Sequence, residues 1–231
     1  MNSQIPTINY SEPCDWLIIL DACRYDYFKK LWDLSPVEPR ISLASNTLGT
    51  LNKMPKFPMS AIVTGHPFPL LRKDKFTKTI DVGFDYYLST SPPQYITNYI
   101  KNHRHRLKPF KTKILWFLQP HHPYIGKTKL DIPIYYRDKP KKMTSDEWKI
   151  MKMKEAKKKG ILLKAYEDNL KLVLSHVKQI LPLLKGKVII TSDHGEGLGE
   201  PLRPQDPPIF SHPPNRNEYE VRLIPYTVVE I

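Results

Sequence analysis

The sequence has little cysteine, no long apolar run and no excess of acidic residues. Only Cys14 and Cys23 occur among its 231 residues, too few for a disulfide framework, and both are predicted to be reduced thiols. No apolar run approaches the roughly 20 residues of a membrane span. The first ten residues, MNSQIPTINY, lack the basic and then apolar pattern of a secretory signal. These absences predict no disulfide scaffold, no transmembrane segment and a cytoplasmic location.

The charge is strongly positive, with 36 Lys and Arg against 23 Asp and Glu and a formal net charge of +13. Such a protein can bind nucleic acid, an acidic membrane surface or an anionic substrate. Much of the excess lies in two blocks, residues 101–113 and 139–159. We interpret both blocks as solvated faces or loops, with an acidic surface or polyanion partner as the alternative. None of the RNA- or DNA-binding signatures occurs in the sequence.

Unbroken apolar runs mark the predicted centre of the fold. These runs lie within residues 16–20, 113–118 and 188–191. Such runs are typical of strands buried on both faces of a parallel sheet. Apolar residues at helical spacing predict a helix over 166–181. The other predicted elements are helices at 27–34 and 92–103 and strands at 59–63, 83–88 and 225–231. This alternation predicts an α/β fold, a three-layer α/β/α arrangement with a mostly parallel central sheet.

The length favours one domain over residues 1–231. A basic stretch at about 127–160 interrupts the alternation, and we interpret it as an insertion or lid. Residues 41–52 begin extended, and a helix is predicted to follow with Ser45 or Asn46 as its N-cap.

Acidic and imidazole side chains follow two of the apolar runs directly. Asp21 follows the first run, and Asp193 and His194 come just after the last. In open α/β sheets, ligand groups collect beyond the carboxyl ends of the strands, so these three side chains should meet at one edge. Carboxylates together with an imidazole suit Zn²⁺ or Mn²⁺. The sequence therefore predicts a metal site.

Four motifs occur in a fixed order: LDACRYD (20–26), QPHHPY (119–124), TSDHGEGLGE (191–200) and SHPPNRNEYEVRLIPYTVVE (211–230). They resemble the alkaline phosphatase superfamily, most closely its sulfatase-like branch. That branch shows D-x-x-R-x-D after the first strand, then H-x-P-Y, S-D-H-G-E and a late His before a strand that Arg and Pro lead into. The resemblance spans nearly the whole chain at low density, and it implies a compact alkaline-phosphatase-like fold.

The resemblance implies roles for several residues. Asp21, Asp193 and His194 would ligate a divalent ion, which could be zinc, manganese, magnesium or calcium. The nucleophile would lie on the turn into the second helix. We favour Thr47, because lipoteichoic acid synthases and phosphoethanolamine transferases of this superfamily use a Thr beside the metal, and Thr47 would then also contact the ion. Ser45 is the main alternative.

Three further residues are candidates for binding the substrate. His121 and His212 match the His of H-x-P-Y and the late His, which in relatives bind phosphoryl or sulfuryl oxygens or a second metal. Arg24 is a candidate for anion binding, and a structural pair with Asp26 or a neighbouring acid is the alternative.

Glu196 is predicted to orient the ring of His194 as a partner outside the ligand set. His66 and His122 are interpreted as packing residues rather than as parts of the site.

The sequence departs from true sulfatases because it has no C-x-P-S-R motif for making formylglycine. We therefore predict a metal-dependent hydrolase or transferase that acts on phosphate esters, in preference to sulfate esters, through a Thr nucleophile and a covalent intermediate. Water as the acceptor would make it a hydrolase, and another hydroxyl would make it a transferase. The alternatives are a catalytically degenerate sulfatase-like binding protein and a basic nucleic-acid-binding protein.

Overall fold

The computed structural model describes residues 4–130, 132 and 142–231. In chain order its strands and helices are β1 (Trp16–Asp21), α1 (Tyr25–Leu31), β2 (Glu38–Ile41), α2 (Thr47–Lys53), β3 (Phe57–Thr64), α3 (Pro67–Leu71), β4 (Phe76–Asp81), α4 (Pro93–His103), β5 (Thr112–Pro120), α5 (Ser145–Lys158), α6 (Leu162–Ile180), β6 (Lys187–Ser192), β7 (Gly197–Leu198), β8 (Phe210–Ser211), α7 (Tyr219–Arg222) and β9 (Leu223–Glu230).

Seven strands form the central sheet, in the order β2-β9-β6-β1-β5-β3-β4. The strands from β6 to β4 are parallel. Only β9 runs antiparallel to its neighbours β6 and β2. The predicted mostly parallel α/β fold is therefore confirmed. β7 and β8 pair as a separate small hairpin.

The central strand β1 is buried along its whole length. Its alternate residues Trp16, Ile18 and Leu20 pack with apolar side chains of α1, α4 and α6. Leu17 and Ile19 face the other side, where α2 contributes Leu51. Because both faces of the sheet are covered, β1 needs apolar side chains at every position, which is why its sequence does not alternate.

The predicted insertion at about 127–160 contains the helix α5. Residues 131 and 133–141 of this stretch lie outside the described residues. α5 begins with a capping box in which Thr144 and Glu147 satisfy each other's backbone N–H groups. It packs on α6 and on the β7–β8 hairpin.

The strand predicted at 83–88 is wrong. The edge strand is β4, whose sequence FTKTID is mostly exposed and lacks the apolar run that marks a central strand. Residues 83–88 instead form a turn closed by backbone bonds between Asp85 and Thr90.

Of the two proposed N-caps for α2, Asn46 is the one observed, and its side chain accepts the Gly49 N–H at 2.7 Å. No helix within the described ranges is long and apolar enough to span a membrane.

Candidate active site

The candidate site lies at the carboxyl edge of β1 and β6. These strands are parallel neighbours with Leu20 opposite Ser192, so Asp21 at the end of β1 and the residues after β6 meet at one edge. The Ser192 hydroxyl joins the two turns, because it accepts the Cys23 N–H at 2.9 Å and lies 2.6 Å from the Leu20 carbonyl. The juxtaposition predicted from the apolar runs is present.

We call Asp21, Thr47, Asp193 and His194 the carboxylate cluster. His194 Nε2 lies 3.3 Å from Asp21 Oδ1 and 3.4 Å from Asp193 Oδ2. Thr47 Oγ1 lies 3.1 Å from His194 Nε2 and 3.4 Å from Asp21 Oδ1. All four side chains are at most 5% exposed. The structure therefore brings together the hydroxyl, the imidazole and the two carboxylates that the sequence singled out.

The turn after β1 orients the Asp193 carboxylate. Ala22 has a φ of 59°, a left-handed conformation that is uncommon outside glycine, and the Tyr166 hydroxyl holds it by donating to the Ala22 carbonyl at 2.8 Å. In this conformation the Ala22 N–H donates to Asp193 Oδ1 at 3.2 Å, and the His194 N–H donates to the same oxygen at 2.9 Å. Asp193 Oδ2 is left buried, with no hydrogen-bond partner in the described part of the chain.

The pKa values in the cluster reflect its crowded charges. Burial would raise the pKa of Asp21, but His121, His194 and His66 hold it well below its usual range. Burial together with the charge of Asp21 raises the pKa of Asp193 to about 6, even though His194 lies beside it. Burial would lower the pKa of His194, but the two carboxylates raise it to about 9. Protonated His194 thus supplies positive charge between two buried acids.

The same residues fit a divalent cation. A buried carboxylate needs a compensating charge, and Asp193 Oδ2 has a free acceptor position. His194 Nδ1 bonds the Gly195 carbonyl at 2.7 Å, so Nε2 faces the cluster and becomes a ligand nitrogen when a cation displaces its proton. The candidate ligand atoms of Asp21, Asp193 and His194 lie within 4.8 Å of one another. Two carboxylates and an imidazole are a donor set for Zn²⁺ or Mn²⁺.

We call His121, Glu196 and His212 the histidine cluster. His121 follows β5, Glu196 precedes β7 and His212 follows β8. His212 Nδ1 lies 3.0 Å from Glu196 Oε1, and the ring centroids of His121 and His212 are 5.0 Å apart. This group also has the composition of a metal site. It adjoins the carboxylate cluster, because the ring centroids of His194 and His212 are 4.5 Å apart.

The prediction that Glu196 orients His194 is wrong. The Gly195 carbonyl takes that place. Gly195 packs closely against α7, where a Cβ on it would lie 2.1 Å from the Glu220 carbonyl oxygen. Glu196 contacts His212 instead.

Lys149 is a residue that the sequence reasoning missed. It lies on the inward face of α5, where Met153 and Ala156 are also buried. Burial lowers the pKa of His121 to about 4 and holds the pKa of His212 well below its usual range, and the charge of Lys149 acts in the same direction on both. The sequence did offer one signal for its burial. Lys149 stands at helical spacing, i, i+4 and i+7, with the buried residues Met153 and Ala156.

Two other candidates are engaged elsewhere. The Ser45 hydroxyl donates to the Pro213 carbonyl at 2.6 Å and accepts the Arg216 N–H at 3.2 Å. Arg24 is buried and pairs with Asp26 at 2.7 Å, and it also lies 3.3 Å from Glu200.

These contacts match the structural alternative stated for Arg24, and they disfavour Ser45 as the nucleophile. The anion-binding role of Arg24 stays a prediction.

No protein-family model matches the sequence, and no curated protein matches it either. Solved structures do match. The C-terminal periplasmic domain of the phosphoethanolamine transferase EptC from Campylobacter jejuni aligns with a TM-score of 0.53 and 14% identity, over 98% of this chain and 83% of that one.

Two further structures align similarly. The soluble domain of lipooligosaccharide phosphoethanolamine transferase A from Neisseria meningitidis gives a TM-score of 0.59 and 10% identity, over 96% of this chain and 78% of that one. A putative sulfatase from Bacteroides thetaiotaomicron gives a TM-score of 0.57 and 14% identity, over 96% and 65%. The chain therefore has the same fold as these two phosphoethanolamine transferase domains and this putative sulfatase, which agrees with the fold that its four motifs predicted.

Proposed function

We propose that this protein is a metal-dependent enzyme that transfers or hydrolyses phosphate esters, with Thr47 as the nucleophile. The observation that carries the proposal is the position of the Thr47 hydroxyl, 3.1 Å from His194 Nε2 and 3.4 Å from Asp21 Oδ1. Beside it lies Asp193 Oδ2, a buried carboxylate oxygen that pairs with His194 at 3.4 Å and accepts no hydrogen bond from the described residues. Structures with this fold include proteins named as phosphoethanolamine transferases and a sulfatase. Those names describe ester chemistry of this kind.

A divalent ion held by Asp21, Thr47, Asp193 and His194 would supply positive charge beside the attacking hydroxyl and lower the pKa of that hydroxyl. The chain's own residues place the hydroxyl. Thr47 is the first residue of α2, and the Asn46 cap fixes where that helix begins. Thr50, one turn along, donates to the Asp193 carbonyl at 2.9 Å, which ties α2 to the turn after β6.

In the first step the Thr47 hydroxyl gives up its proton to water, and its oxygen attacks phosphorus in line with the leaving oxygen, which takes up a proton from solvent. The bond from phosphorus to the leaving group breaks as the bond to Thr47 forms, and the phosphoryl group stays on the protein. In the second step water or another hydroxyl attacks the phosphorus, and the Thr47 oxygen leaves. The acceptor decides between hydrolysis and transfer.

We place the acceptor beside the histidine cluster, because this cluster adjoins the carboxylate cluster. His121 Nδ1 bonds the His122 carbonyl at 2.5 Å and His212 Nδ1 bonds the Glu196 carboxylate, so in the neutral rings Nδ1 carries the hydrogen and Nε2 is free to take a proton. The negative charge of a bound phosphoryl group would raise the pKa of both rings towards neutrality. Either ring could then accept the proton of the incoming hydroxyl, and once protonated it could bind a phosphoryl oxygen.

A substrate panel tests this function. Purified protein is stripped of metal, reloaded with zinc, manganese, magnesium or calcium, and assayed on phosphate monoesters, phosphate diesters and sulfate esters. We expect metal-dependent turnover of phosphate esters above that of sulfate esters. Turnover of sulfate esters alone would contradict the choice of substrate. Tight metal binding without any turnover would favour the degenerate binding protein.

A further inference from the structure

His66 lies against the carboxylate cluster, although its sequence context suggested only packing. It follows β3, which is separated from β1 by β5, and its side chain reaches across to the end of β1. His66 Nε2 lies 3.0 Å from Asp21 Oδ2, and both side chains are at most 4% exposed.

The tautomer of the neutral His66 ring follows from a contact in its own turn. The Phe68 N–H donates to His66 Nδ1 at 3.2 Å, so Nδ1 is the acceptor nitrogen and the proton of the neutral ring is on Nε2. The nitrogen that faces Asp21 therefore carries hydrogen, and its contact with Asp21 Oδ2 at 3.0 Å is electrostatic, because Nε2 has no well-aligned hydrogen-bond acceptor among the described residues. A protonated nitrogen has no lone pair for a metal, so His66 in this form does not act as a ligand.

Several contacts fix the His66 ring. Its backbone N–H donates to Thr64 Oγ1 at 2.9 Å, and that hydroxyl donates to the Trp116 carbonyl at 2.7 Å. The ring packs edge-on against Trp116, with centroids 6.0 Å apart. The preceding residue, Gly65, has to be a glycine, because a Cβ there would lie 2.1 Å from the Gly83 carbonyl oxygen. His66 is thus held on β5 and on the turn around Gly83.

We infer that His66 is a positioning residue that fixes the Asp21 carboxylate as a one-oxygen ligand. Asp21 Oδ2 faces His66, whereas Oδ1 faces Thr47 at 3.4 Å and His194 at 3.3 Å. The contact with His66 opposes rotation of the carboxylate, and rotation would exchange its two oxygens. This inference rests on the proposed function, because it requires that the carboxylate cluster hold a metal.

A metal-binding experiment with three His66 variants tests this role. Full-length wild-type protein, His66→Leu, His66→Gln and His66→Asn are stripped of metal, and Zn²⁺ and Mn²⁺ affinities are measured by titration calorimetry. Thermal unfolding without metal is measured in parallel. His66→Leu should weaken metal binding by about 10- to 100-fold, the usual effect of losing a partner outside the ligand set. His66→Gln, which keeps an N–H donor at the position of Nε2, should restore most of the affinity.

His122→Leu is the matched control, because His122 is also a buried histidine of this region but bonds the Ile132 carbonyl through Nδ1. We expect unchanged metal affinity in this control. If wild-type protein binds metal and His66→Leu binds it equally well, the positioning role is overturned and the proposed function stands. If wild-type protein binds no metal, the proposed function itself fails.

Equal losses in His66→Leu and His66→Gln, with unfolding unchanged, would also overturn the role, because an N–H donor would then be irrelevant. Should the Leu variant fail to fold, the Gln and Asn variants decide. The shorter Asn side chain reaches less far towards Asp21 and should bind metal more weakly, so equal affinities in these two variants would contradict the inference.

Discussion

The two clusters of the candidate site are built differently. In the carboxylate cluster, Asp21 ends β1 and Asp193 and His194 follow β6, and these strands lie in the middle of the sheet. The histidine cluster depends on the end of β5 and on the two-residue strands β7 and β8. Three members of the carboxylate cluster are thus fixed by the sheet core and Thr47 by the start of α2, whereas the histidine cluster depends on how a loop and α5 pack. In the proposed function, the carboxylate cluster makes the bond to phosphorus and the histidine cluster faces the substrate.

Asp193→Asn should have the largest effect. It removes one of two buried carboxylates that compensate a cation, so metal affinity and activity should fall together, with activity reduced by roughly 10³-fold or more, as for loss of a central catalytic group. Metal analysis and steady-state kinetics on the same preparation measure both, and Asp21→Asn should behave alike. Stoichiometric metal binding in both variants would mean that the ligands are misassigned.

Thr47→Ala should separate chemistry from metal binding. The nucleophile is lost while two carboxylates and the imidazole remain, so turnover should fall by roughly 10³-fold or more with most of the bound metal retained. Ser45→Ala is the control, since the Ser45 hydroxyl bonds Pro213 and Arg216. Loss of activity in Ser45→Ala with full activity in Thr47→Ala would move the nucleophile to Ser45.

His212→Asn tests the histidine cluster. The change removes a ring that contacts Glu196. His212 is not one of the candidate metal ligands of the carboxylate cluster. We expect kcat/KM to fall by about 10²- to 10³-fold, the usual effect of losing one group that stabilises a transition state, while metal affinity at the carboxylate cluster stays the same. His105→Asn, on the exposed surface, is the control. An equal loss of metal and activity would merge the two clusters into one functional unit.

Lys149→Met should have a smaller effect on substrate binding. A buried cation beside the histidine cluster would attract an anionic substrate, and its loss should raise KM by about tenfold or more with a smaller change in kcat. Lys152→Met on the same helix is the matched control, because Lys152 lies over the Trp148 ring and pairs with Glu155. Identical kinetics in the two variants would return Lys149 to a structural role.

The smallest effect is expected for the exposed C-terminal end of the basic block at residues 139–159. We predict that this end lies outside the catalytic centre. Lys158 and Lys159 are exposed, whereas Lys157 donates to the Gly199 carbonyl and holds α5 on the hairpin. Replacing Lys158 and Lys159 by Gln should raise KM for a large anionic substrate modestly at low salt, and the difference should shrink as salt screens the charge. A loss of kcat that does not depend on salt would contradict this view.

The same contrast explains what the sequence could predict. Asp21, Asp193 and His194 were predictable because they follow apolar runs, and the sheet order brings those strands together. Thr47, at the start of α2, was predicted from the family resemblance instead. Glu196 was assigned to the wrong histidine because its partner depends on how the segment around Gly195 packs against α7. Lys149 was missed because its burial depends on how α5 packs. The strand β4 was missed because it is a polar edge strand without an apolar run. Local patterns specified the centre of the sheet, and tertiary packing decided the rest.

The most direct measurement of the central claim is the site of the covalent intermediate. Metal-loaded protein is mixed with a phosphate ester, quenched in acid within milliseconds to seconds, digested and analysed by fragmentation mass spectrometry. The account predicts a phosphoryl group on Thr47 that appears and decays with turnover, is absent without metal and is absent from Thr47→Ala. A phosphoryl group on Ser45, or turnover by Thr47→Ala at the wild-type rate, would contradict it.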